Sequence, residues 1–199
     1  MPQEARLNTP DPHPDLSLGL KMRQIRKVRG LSLQSVARKA GVSIGLVSQI
    51  ERGLTSPSIR SLRQLGAALD VPVERFFGGG DELELDCADI VVHPRNRRVL
   101  NLQGKGITME LLSPREAGTL ELVLVTVEPG GSTGREFYDH EGDEAGLVLA
   151  GKIEMWVGEK FFVIEEGDSF HFPSVTPHKL ANPGEIPAKI LWANTPPAY

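Results

Sequence analysis

Hydrophobic residues in the first 77 positions recur with the period of an α-helix. Leu18, Met22 and Ile25 fall at i, i+4 and i+7, so they form one apolar stripe. Glycines and prolines divide this region into short segments. The predicted helices cover about 15–29, 33–39, 44–52, a segment that begins after Pro57-Ser58, and a short turn after Pro72. This part of the chain is therefore predicted to be a bundle of about five short helices.

A different pattern follows residue 90. Short apolar or alternating runs, separated by glycine and proline, replace the helical period. These runs are ITMELL (107–112), TLELVLVTVE (119–128), AGLVLAGKIEMWVG (145–158), FFVIEEGDSFHFP (161–173) and AKILWAN (188–194). Many short strands favour an antiparallel sandwich or small barrel, and Gly151 is well placed for a tight hairpin turn. The predicted fold class is α+β, with an all-α domain followed by an all-β domain.

The sequence between the two patterns predicts a linker. Gly78-Gly79-Gly80 and the acidic run DELELD suit a flexible tether. Residues 1–14 hold four prolines and few apolar side chains, which predicts a disordered arm. The predicted organisation is an arm at 1–14, a helical domain at 15–77, a linker at 78–90 and a β domain at 91–199.

Charge is divided unevenly between these domains. Residues 1–80 hold 12 Lys/Arg and 6 Asp/Glu, whereas residues 81–199 hold 10 and 20. This asymmetry favours a polyanionic partner for the helical domain, although charged faces are often only solvated. The chain has one cysteine, Cys87, and no signal peptide or long apolar run. We therefore expect a soluble cytoplasmic protein with no membrane partner.

The segment 33–52, LQSVARKAGVSIGLVSQIER, has the pattern of a helix-turn-helix. Gly41 stands where the first helix must end in a positive-φ turn, and Ser43 follows as an N-cap for the second helix. Apolar residues occupy the positions that two crossed helices bury, namely Val36, Ala37, Ala40, Val42, Val47 and Ile50. One face of the second helix remains available, and the DNA major groove accepts a helix with such a face.

The outward residues of the helix at 44–52 are the candidate readers of base edges: Ile44, Gly45, Ser48 and Gln49. Gln49 can form a bidentate pair with adenine, Ile44 can contact a thymine methyl, and Gly45 permits close backbone approach. Other residues are better placed for phosphate, namely Ser43, Arg52, Arg60 and Arg63. The alternative is that Ser48 and Gln49 are ordinary surface residues of a helical bundle.

Residues 18–77 resemble the lambda-repressor or Xre type of helix-turn-helix domain. The resemblance rests on LGLKMRQIRKVRGLSL, AGVS, SQIERG, PSIRSL and ALDVPVERFF. Many members place glutamine at the start of the second helix, where it helps to anchor the protein on its operator. This chain has Leu33 there, with Gln34 beside it. The resemblance implies a double-stranded DNA operator as partner, with Leu33 and Gln34 as further contact candidates.

Polar residues of the β domain form a candidate metal site. Tyr138 and His140 are two apart, so on a strand they share a face; Glu144 follows a bend at Gly142, and His178 enters from a later strand. Two imidazoles and one carboxylate are the ligand types of a facial triad, which suits iron, manganese, nickel or zinc. Without a metal, these polar residues would line a small-molecule pocket.

The β domain resembles the cupin family, whose fold is a double-stranded β-helix, or jelly-roll barrel. The resemblance rests on YDHEGDEAGLVLAG (138–151) and GDSFHFPSVTPHKLAN (167–182), and it covers about residues 91–196. By position, His140, Glu144 and His178 match metal-ligand sites of the family. Tyr138 occupies a site that usually holds a further histidine ligand. The resemblance therefore implies at most three protein ligands, with Tyr138 beside them in a ligand pocket.

An Xre-type domain followed by a cupin resembles bacterial transcription regulators similar to the putrescine-utilisation repressor. This resemblance implies a homodimer without catalytic residues, whose barrel senses a small-molecule effector and modulates operator binding. The acidic β domain favours amine effectors, or its charge only keeps the sensor away from DNA. The alternative is an iron-dependent cupin oxygenase, similar to hydroxypropylphosphonate epoxidase, with a vestigial helix-turn-helix.

Overall fold

The computed structural model describes residues 14–77, 90–114 and 118–197. The predicted arm at 1–14 and linker at 78–90 lie almost entirely outside the described residues, as does Cys87. None of the helices in the described ranges combines the length and apolar character needed to span a membrane.

The described part of the N-terminal domain contains four α-helices and a closing 3-10 turn. These are α1 Pro14–Val28, α2 Leu33–Ala40, α3 Ile44–Glu51, α4 Ile59–Leu69 and the turn Val73–Phe76. Helices α2, α3 and α4 each begin after a serine N-cap whose Oγ accepts a backbone N–H three residues on. The caps are Ser32, Ser43 and Ser58. The predicted bundle and the N-cap at Ser43 are confirmed.

The turn between α2 and α3 depends on Gly41, whose φ of +66° lies in the left-handed region. Its backbone N–H caps α2, and the N–H of Val42 donates to the carbonyl of Ala37 at 3.0 Å. On its buried side, α3 meets α1 at Gly19, where an added Cβ would lie 2.2 Å from the carbonyl oxygen of Ile50. The helix-turn-helix is therefore fixed by backbone contacts that tolerate little change.

Nine strands form the described part of the β domain. They are β1 Arg98–Leu102, β2 Ile107–Leu111, β3 Glu121–Val127, β4 Asp143–Ala150, β5 Lys152–Val157, β6 Lys160–Glu165, β7 Ser169–Pro173, β8 His178–Ala181 and β9 Ala188–Thr195. Among them, a six-stranded sheet has the order β1-β2-β3-β9-β4-β7 and a three-stranded sheet has the order β6-β5-β8. Neighbouring strands run antiparallel, as predicted.

The hairpin predicted at Gly151 is wrong. β4 pairs with β7 and β9, whereas β5 pairs with β6 and β8, so the chain passes at Gly151 from one sheet to the other. Gly151 has φ +73°, and an added Cβ would lie 3.0 Å from the Cα of Ala188. The glycine therefore serves a corner between sheets. The hairpin falls seven residues later, at Gly158, where Val157 pairs with Lys160.

The apolar faces of the two sheets form the barrel core, and the helical domain packs directly on this barrel. Helix α1 contacts β1, and the buried apolar residues of the two domains form one continuous cluster. The helical domain is thus in contact with the residues that line the barrel.

Candidate nucleic-acid interface and metal centre

Helix α3 has one buried face and one exposed face. Val47 and Ile50 are 2% and 1% exposed and pack into the bundle. Ile44, Gly45 and Gln49 are exposed on the other side. The remaining predicted base reader, Ser48, is half-buried. The structure therefore presents three of the four predicted base-reading residues openly and Ser48 at the edge of the exposed face.

The residues that flank α3 and α2 include an N-cap and several exposed side chains. Ser43 is exposed, and its Oγ accepts the N–H of Leu46 at 3.1 Å. Gln34 is exposed near the start of α2, whereas Leu33 is half-buried. Arg52 is exposed just after α3, and its Nε donates to the carbonyl of Ser48 at 3.2 Å. The exposure of Ser43, Gln34 and Arg52 agrees with the predicted DNA contacts beside α3. Leu33 contributes more to the packing of the bundle than to such contacts.

Arg60 and Arg63, the remaining predicted phosphate contacts, lie beside the β domain, and the Arg60 side chain is 47% exposed. An Nη1 of Arg60 donates to the carbonyl of Phe137 at 3.1 Å, and the Arg63 guanidinium lies 5.8 Å from the centre of the Tyr138 ring. Both arginines are on the first turns of α4, which faces the barrel. They belong to the contact between the domains, because α4 rather than solvent-exposed α3 meets the β domain.

The three predicted metal ligands converge at one end of the barrel. Glu144 comes from β4, His178 from β8, and His140 from the loop before β4. His140 Nε2 lies 2.6 Å from Glu144 Oε1, and His178 Nε2 lies 3.3 Å from Glu144 Oε2. One ligand atom from each residue can be chosen so that all three lie within 4.8 Å of one another. Residues up to 38 positions apart in sequence, His140 and His178, are thus brought to one point.

Hydrogen bonds orient both imidazoles toward the carboxylate. Nδ1 of His178 donates to the carbonyl of Thr176 at 2.9 Å, and Nδ1 of His140 donates to the carbonyl of Glu141 at 3.0 Å. Since a carbonyl only accepts, each Nδ1 carries a hydrogen, so each ring turns its Nε2 toward Glu144. Nε2 of His140 forms a hydrogen bond with Glu144 Oε1 at 2.6 Å, whereas Nε2 of His178 has no hydrogen-bond partner among the described residues. Burial lowers the pKa of His178, with the charge of Glu144 opposing this effect.

This arrangement leaves electron pairs facing each other. In the described part of the chain, His178 Nε2 and Glu144 Oε2 are buried and have no hydrogen-bond partner, because their contact lacks hydrogen-bond geometry. Two acceptors at this distance repel unless a proton or cation lies between them. The donor set therefore fits a divalent cation.

Tyr138 adjoins this centre on the side of the helical domain. It forms a backbone bridge with His178, with N–O distances of 3.1 and 2.9 Å, and their ring centres lie 4.2 Å apart in an edge-on arrangement. The expected strand through Tyr138 and His140 is thus reduced to a single bridge at Tyr138. The His140 ring also lies beside His178, since their ring centres are 5.7 Å apart. Tyr138 and His140 therefore both adjoin His178.

Both domains match known families. A helix-turn-helix model matches residues 22–76, and a cupin domain model matches residues 123–194. The chain is 26% identical over 185 residues to the HTH-type transcriptional regulator PuuR of Escherichia coli (strain K12). This similarity covers 92% of the chain and 97% of PuuR. The chain therefore has the two domains of a DNA-binding transcriptional regulator with a cupin domain.

The chain is also similar to solved structures. A helix-turn-helix (HTH_3) family transcriptional regulator from Vibrio cholerae is similar with a TM-score of 0.61 and 25% identity, over 92% of this chain and 97% of that one. Hydroxypropylphosphonic acid epoxidase from S. wedmorenis is similar with a TM-score of 0.47 and 20% identity, over 92% of this chain and 100% of that one. The second similarity is too weak to assign an activity.

Three further residues of the regulator's barrel were not identified from its sequence. Asn194 is directly opposite Glu144 in the β4–β9 pairing and is 1% exposed, and neither of its amide atoms has a partner among the described residues. Trp192 and Ile59 line a cavity in the barrel interior. Alternation along AKILWAN would have placed Trp192 and Asn194 on one face. No sequence signal placed Ile59, a residue of α4, in the barrel wall.

Proposed function

We propose that this regulator binds an operator sequence through α3 and that a small-molecule effector in the cupin barrel changes that binding. The observation that carries the proposal is the two-sided character of α3. Its apolar side is buried in the bundle, while Ile44, Gly45 and Gln49 are exposed together. A helix with such an exposed face fits the major groove, and its exposed residues reach base edges there.

Each exposed residue has a distinct role in this proposal. Gln49 pairs with adenine through its amide, Ile44 contacts a thymine methyl, and Gly45 allows the helix backbone to approach the groove. Ser48 contributes from the edge of the same face. The contacts to phosphate come from the residues that flank α3 and α2, namely Ser43, Arg52 and Gln34.

The test is a salt titration of binding to a labelled duplex from upstream of the regulator's own gene, with unrelated DNA as competitor. We expect specific binding with a steep salt dependence, because phosphate contacts release counterions. Gln49→Ala should weaken specific binding by about 1–3 kcal/mol with little effect on competitor DNA. Gln24→Ala, an exposed glutamine of α1, is the matched control and should not change either. Equal, weak binding to every duplex by the folded protein would overturn the proposal.

The effector acts by linkage in this proposal. An effector that binds the barrel more tightly in one conformation shifts the population of that conformation. A coupling of about 1–3 kcal/mol changes operator occupancy about 5- to 150-fold. The effector then needs only a modest difference in binding free energy between the two conformations.

We further propose that His140, Glu144 and His178 hold one divalent metal, either iron, manganese, nickel or zinc. The support is the donor set: two oriented imidazole nitrogens converge on a buried carboxylate, and one nitrogen and one carboxylate oxygen have no hydrogen-bond partner among the described residues. Three protein ligands match a facial triad. When bound, such a metal supplies open coordination positions for a polar group of the effector.

Elemental analysis tests this metal site. After chelation and separate reloading with Fe²⁺, Mn²⁺, Ni²⁺ and Zn²⁺, we expect one metal per chain for at least one of these ions. His140→Ala, Glu144→Ala and His178→Ala should each lose it. His171→Ala is the matched control, because His171 is 67% exposed and lies outside the triad. Protein that never retains stoichiometric metal after reloading would sink this proposal.

We also propose that the regulator acts as a homodimer. β6 is an edge strand within the described sheets and exposes three consecutive apolar residues, Phe161, Phe162 and Val163. An exposed apolar edge is a template for pairing with another chain, and two recognition helices can read half-sites one helical turn apart. Sedimentation velocity should show a dimer that Val163→Lys dissociates and that Val175→Lys, at an exposed loop residue, preserves. A wild-type monomer at micromolar concentration would contradict this.

Iron-dependent oxidation is a second candidate function. It is favoured by the three-ligand arrangement of the triad, because such a site leaves positions for oxygen and substrate. The test is oxygen consumption by the Fe²⁺-loaded protein. As a regulator without catalytic residues, the protein should show no sustained turnover. Consumption that His171→Ala keeps and Glu144→Ala abolishes would instead establish an enzyme.

A further inference from the structure

Helix α4 is attached to the rim of the barrel by its first turn. The N–H of Ile59 donates to the carbonyl of Thr133 at 3.2 Å. Just before the helix, Ser56 Oγ accepts the N–H of Gly104 at 2.9 Å. Gly134 of the barrel also lies close to the helix start, since a Cβ added to it would lie 2.9 Å from the Cβ of Ser58. The start of α4 is therefore held by one backbone hydrogen bond to Thr133 and one side-chain hydrogen bond to Gly104, and it packs closely against Gly134.

The side chain of Ile59 completes the wall of the barrel interior. Ile59 is 2% exposed and lines a cavity together with Tyr138, Leu180, Met109 and Trp192. The cavity measures about 20 Å³, which is room for about one water molecule. An effector larger than water therefore requires lining residues to move, and Ile59 is the residue of this lining that comes from the helical domain. The lining is mostly apolar, so an effector that enters it must itself present apolar surface.

Tyr138 connects this cavity to the metal centre and to α4. Its ring packs against the His178 ring at 4.2 Å, and the guanidinium of Arg63 lies 5.8 Å from its centre. A change at the triad is thus two side-chain contacts away from α4. Helix α4 packs on α2, and α2 packs on the recognition helix α3. Since these helices share one core, a displaced α4 changes where α3 is presented.

We propose that α4 is the lid of the effector site: an effector with an apolar body displaces Ile59, and the resulting movement of α4 alters operator binding. This inference rests on the proposed function, since it assumes that the barrel senses an effector. It adds the route of entry, the apolar character of the effector and the helix that transmits its presence. The conformation described here is then the closed one, with Ile59 in the barrel.

An added methyl group at the contact between Gly134 and Ser58 tests the lid without an effector. Gly134→Ala places a Cβ against Ser58 and should push α4 outward. It also strains the backbone, because Gly134 has φ +128°. Ser58→Gly removes the opposing Cβ and keeps the strain, and glycine at an N-cap costs less stability than alanine there. The set is therefore the parent, each single variant and the Ser58→Gly, Gly134→Ala double variant.

Two measurements are made on this set in a Trp156→Phe background, in which Trp192 is the remaining tryptophan. The first is acrylamide quenching of Trp192, which is 4% exposed in the closed conformation. The second is operator affinity. We expect Gly134→Ala to increase quenching and to change the operator Kd at least about fivefold, and the double variant to restore both to the values of Ser58→Gly.

The outcomes separate the lid from the proposed function. If quenching rises and the Kd does not change, or if the double variant behaves like Gly134→Ala alone, the proposal is overturned. Unchanged quenching in folded Gly134→Ala also overturns it. If the parent shows no specific operator binding, the proposed function fails. If the variants then still change the quenching of Trp192 as expected, α4 moves, but its movement does not alter operator binding. That result would overturn the proposed coupling.

Discussion

Arg26 donates two hydrogen bonds to the carboxylate of Glu51, Nε to Oε1 at 2.6 Å and Nη2 to Oε2 at 2.9 Å. Its Nη1 donates to the carbonyl of Leu31 at 2.8 Å. The Glu51 side chain is 6% exposed and that of Arg26 is 12% exposed. The hydrogen bond with Glu51 raises the pKa of Arg26 against the effect of burial. This two-point pair ties α1 to the last residue of the recognition helix.

Replacing Arg26 by methionine should destabilise the helical domain strongly. The Glu51 carboxylate would remain buried without its guanidinium, and breaking a buried pair on one side costs about 3–5 kcal/mol. Urea denaturation followed by helical circular dichroism measures the loss. Arg29→Ala is the control, because its pair with Asp70 is exposed and should be worth at most about 1 kcal/mol. Equal losses in the two variants would contradict a dominant Arg26–Glu51 pair.

Two glycine-to-alanine changes should act in opposite directions. Gly19→Ala places a Cβ 2.2 Å from the Ile50 carbonyl oxygen, so α1 and α3 must separate. We expect a loss of about 1–3 kcal/mol in the free energy of unfolding, as for other overpacked sites. Gly45→Ala meets nothing closer than Ser43 Oγ at 3.9 Å and should gain about 0.5–1 kcal/mol from helix propensity.

Operator affinity separates the effect of Gly45 on stability from its proposed role in DNA binding. Gly45→Ala should weaken specific binding despite its greater stability, because the proposed role of Gly45 is close approach to the groove. A more stable Gly45→Ala variant with unchanged operator affinity would remove Gly45 from the proposed interface.

Local chemistry explains why the helical domain was predictable from its sequence. The turn at Gly41 and the cap at Ser43 depend on residues within one turn of the chain, so residue type alone indicates the structure. The convergence of His140, Glu144 and His178 was inferred from spacing and from resemblance to a barrel. A strand pattern alone does not specify which strands pair.

The failures of prediction are all contacts between distant segments. Gly151 has the signature of a hairpin, yet its flanking strands pair with other partners. For Arg60 and Arg63 the sequence indicated phosphate contacts, and it did not indicate their contacts with Phe137 and Tyr138. Periodicity within α4 indicates which side is apolar, and it contains no information about a second domain that packs there. Ile59 was missed for the same reason.

Two buried asparagines provide a matched pair for the barrel. Asn182 Nδ2 donates to the carbonyls of Val127 and Ile186, and its Oδ1 accepts the N–H of Gly184. Asn194 makes no hydrogen bond through its amide with the described residues. Asn182→Val should therefore lose several kcal/mol, at about 1–3 kcal/mol for each buried group left unpaired. Asn194→Val should be neutral or stabilising, because it removes an unsatisfied amide from the core.

Thermal or urea unfolding of the chelator-treated protein measures this difference between the asparagines. A loss in Asn194→Val as large as in Asn182→Val would show that the Asn194 amide is satisfied in solution. In that case Asn194 would be part of a hydrogen-bonded network beside Glu144, its partner across the β4–β9 pairing.

Tyr138 should be required for communication between the metal centre and the operator. Its ring is the part that contacts both His178 and Arg63, so Tyr138→Phe should preserve the response and Tyr138→Ala should remove it. The measurement is the ratio of operator Kd values with and without Ni²⁺, for variants that elemental analysis shows to be loaded. Phe137→Ala is the control, because the neighbouring Phe137 ring lies against Lys179 instead. A full Ni²⁺ response in loaded Tyr138→Ala would exclude this residue as the connection, since packing alone would then transmit the signal without its ring.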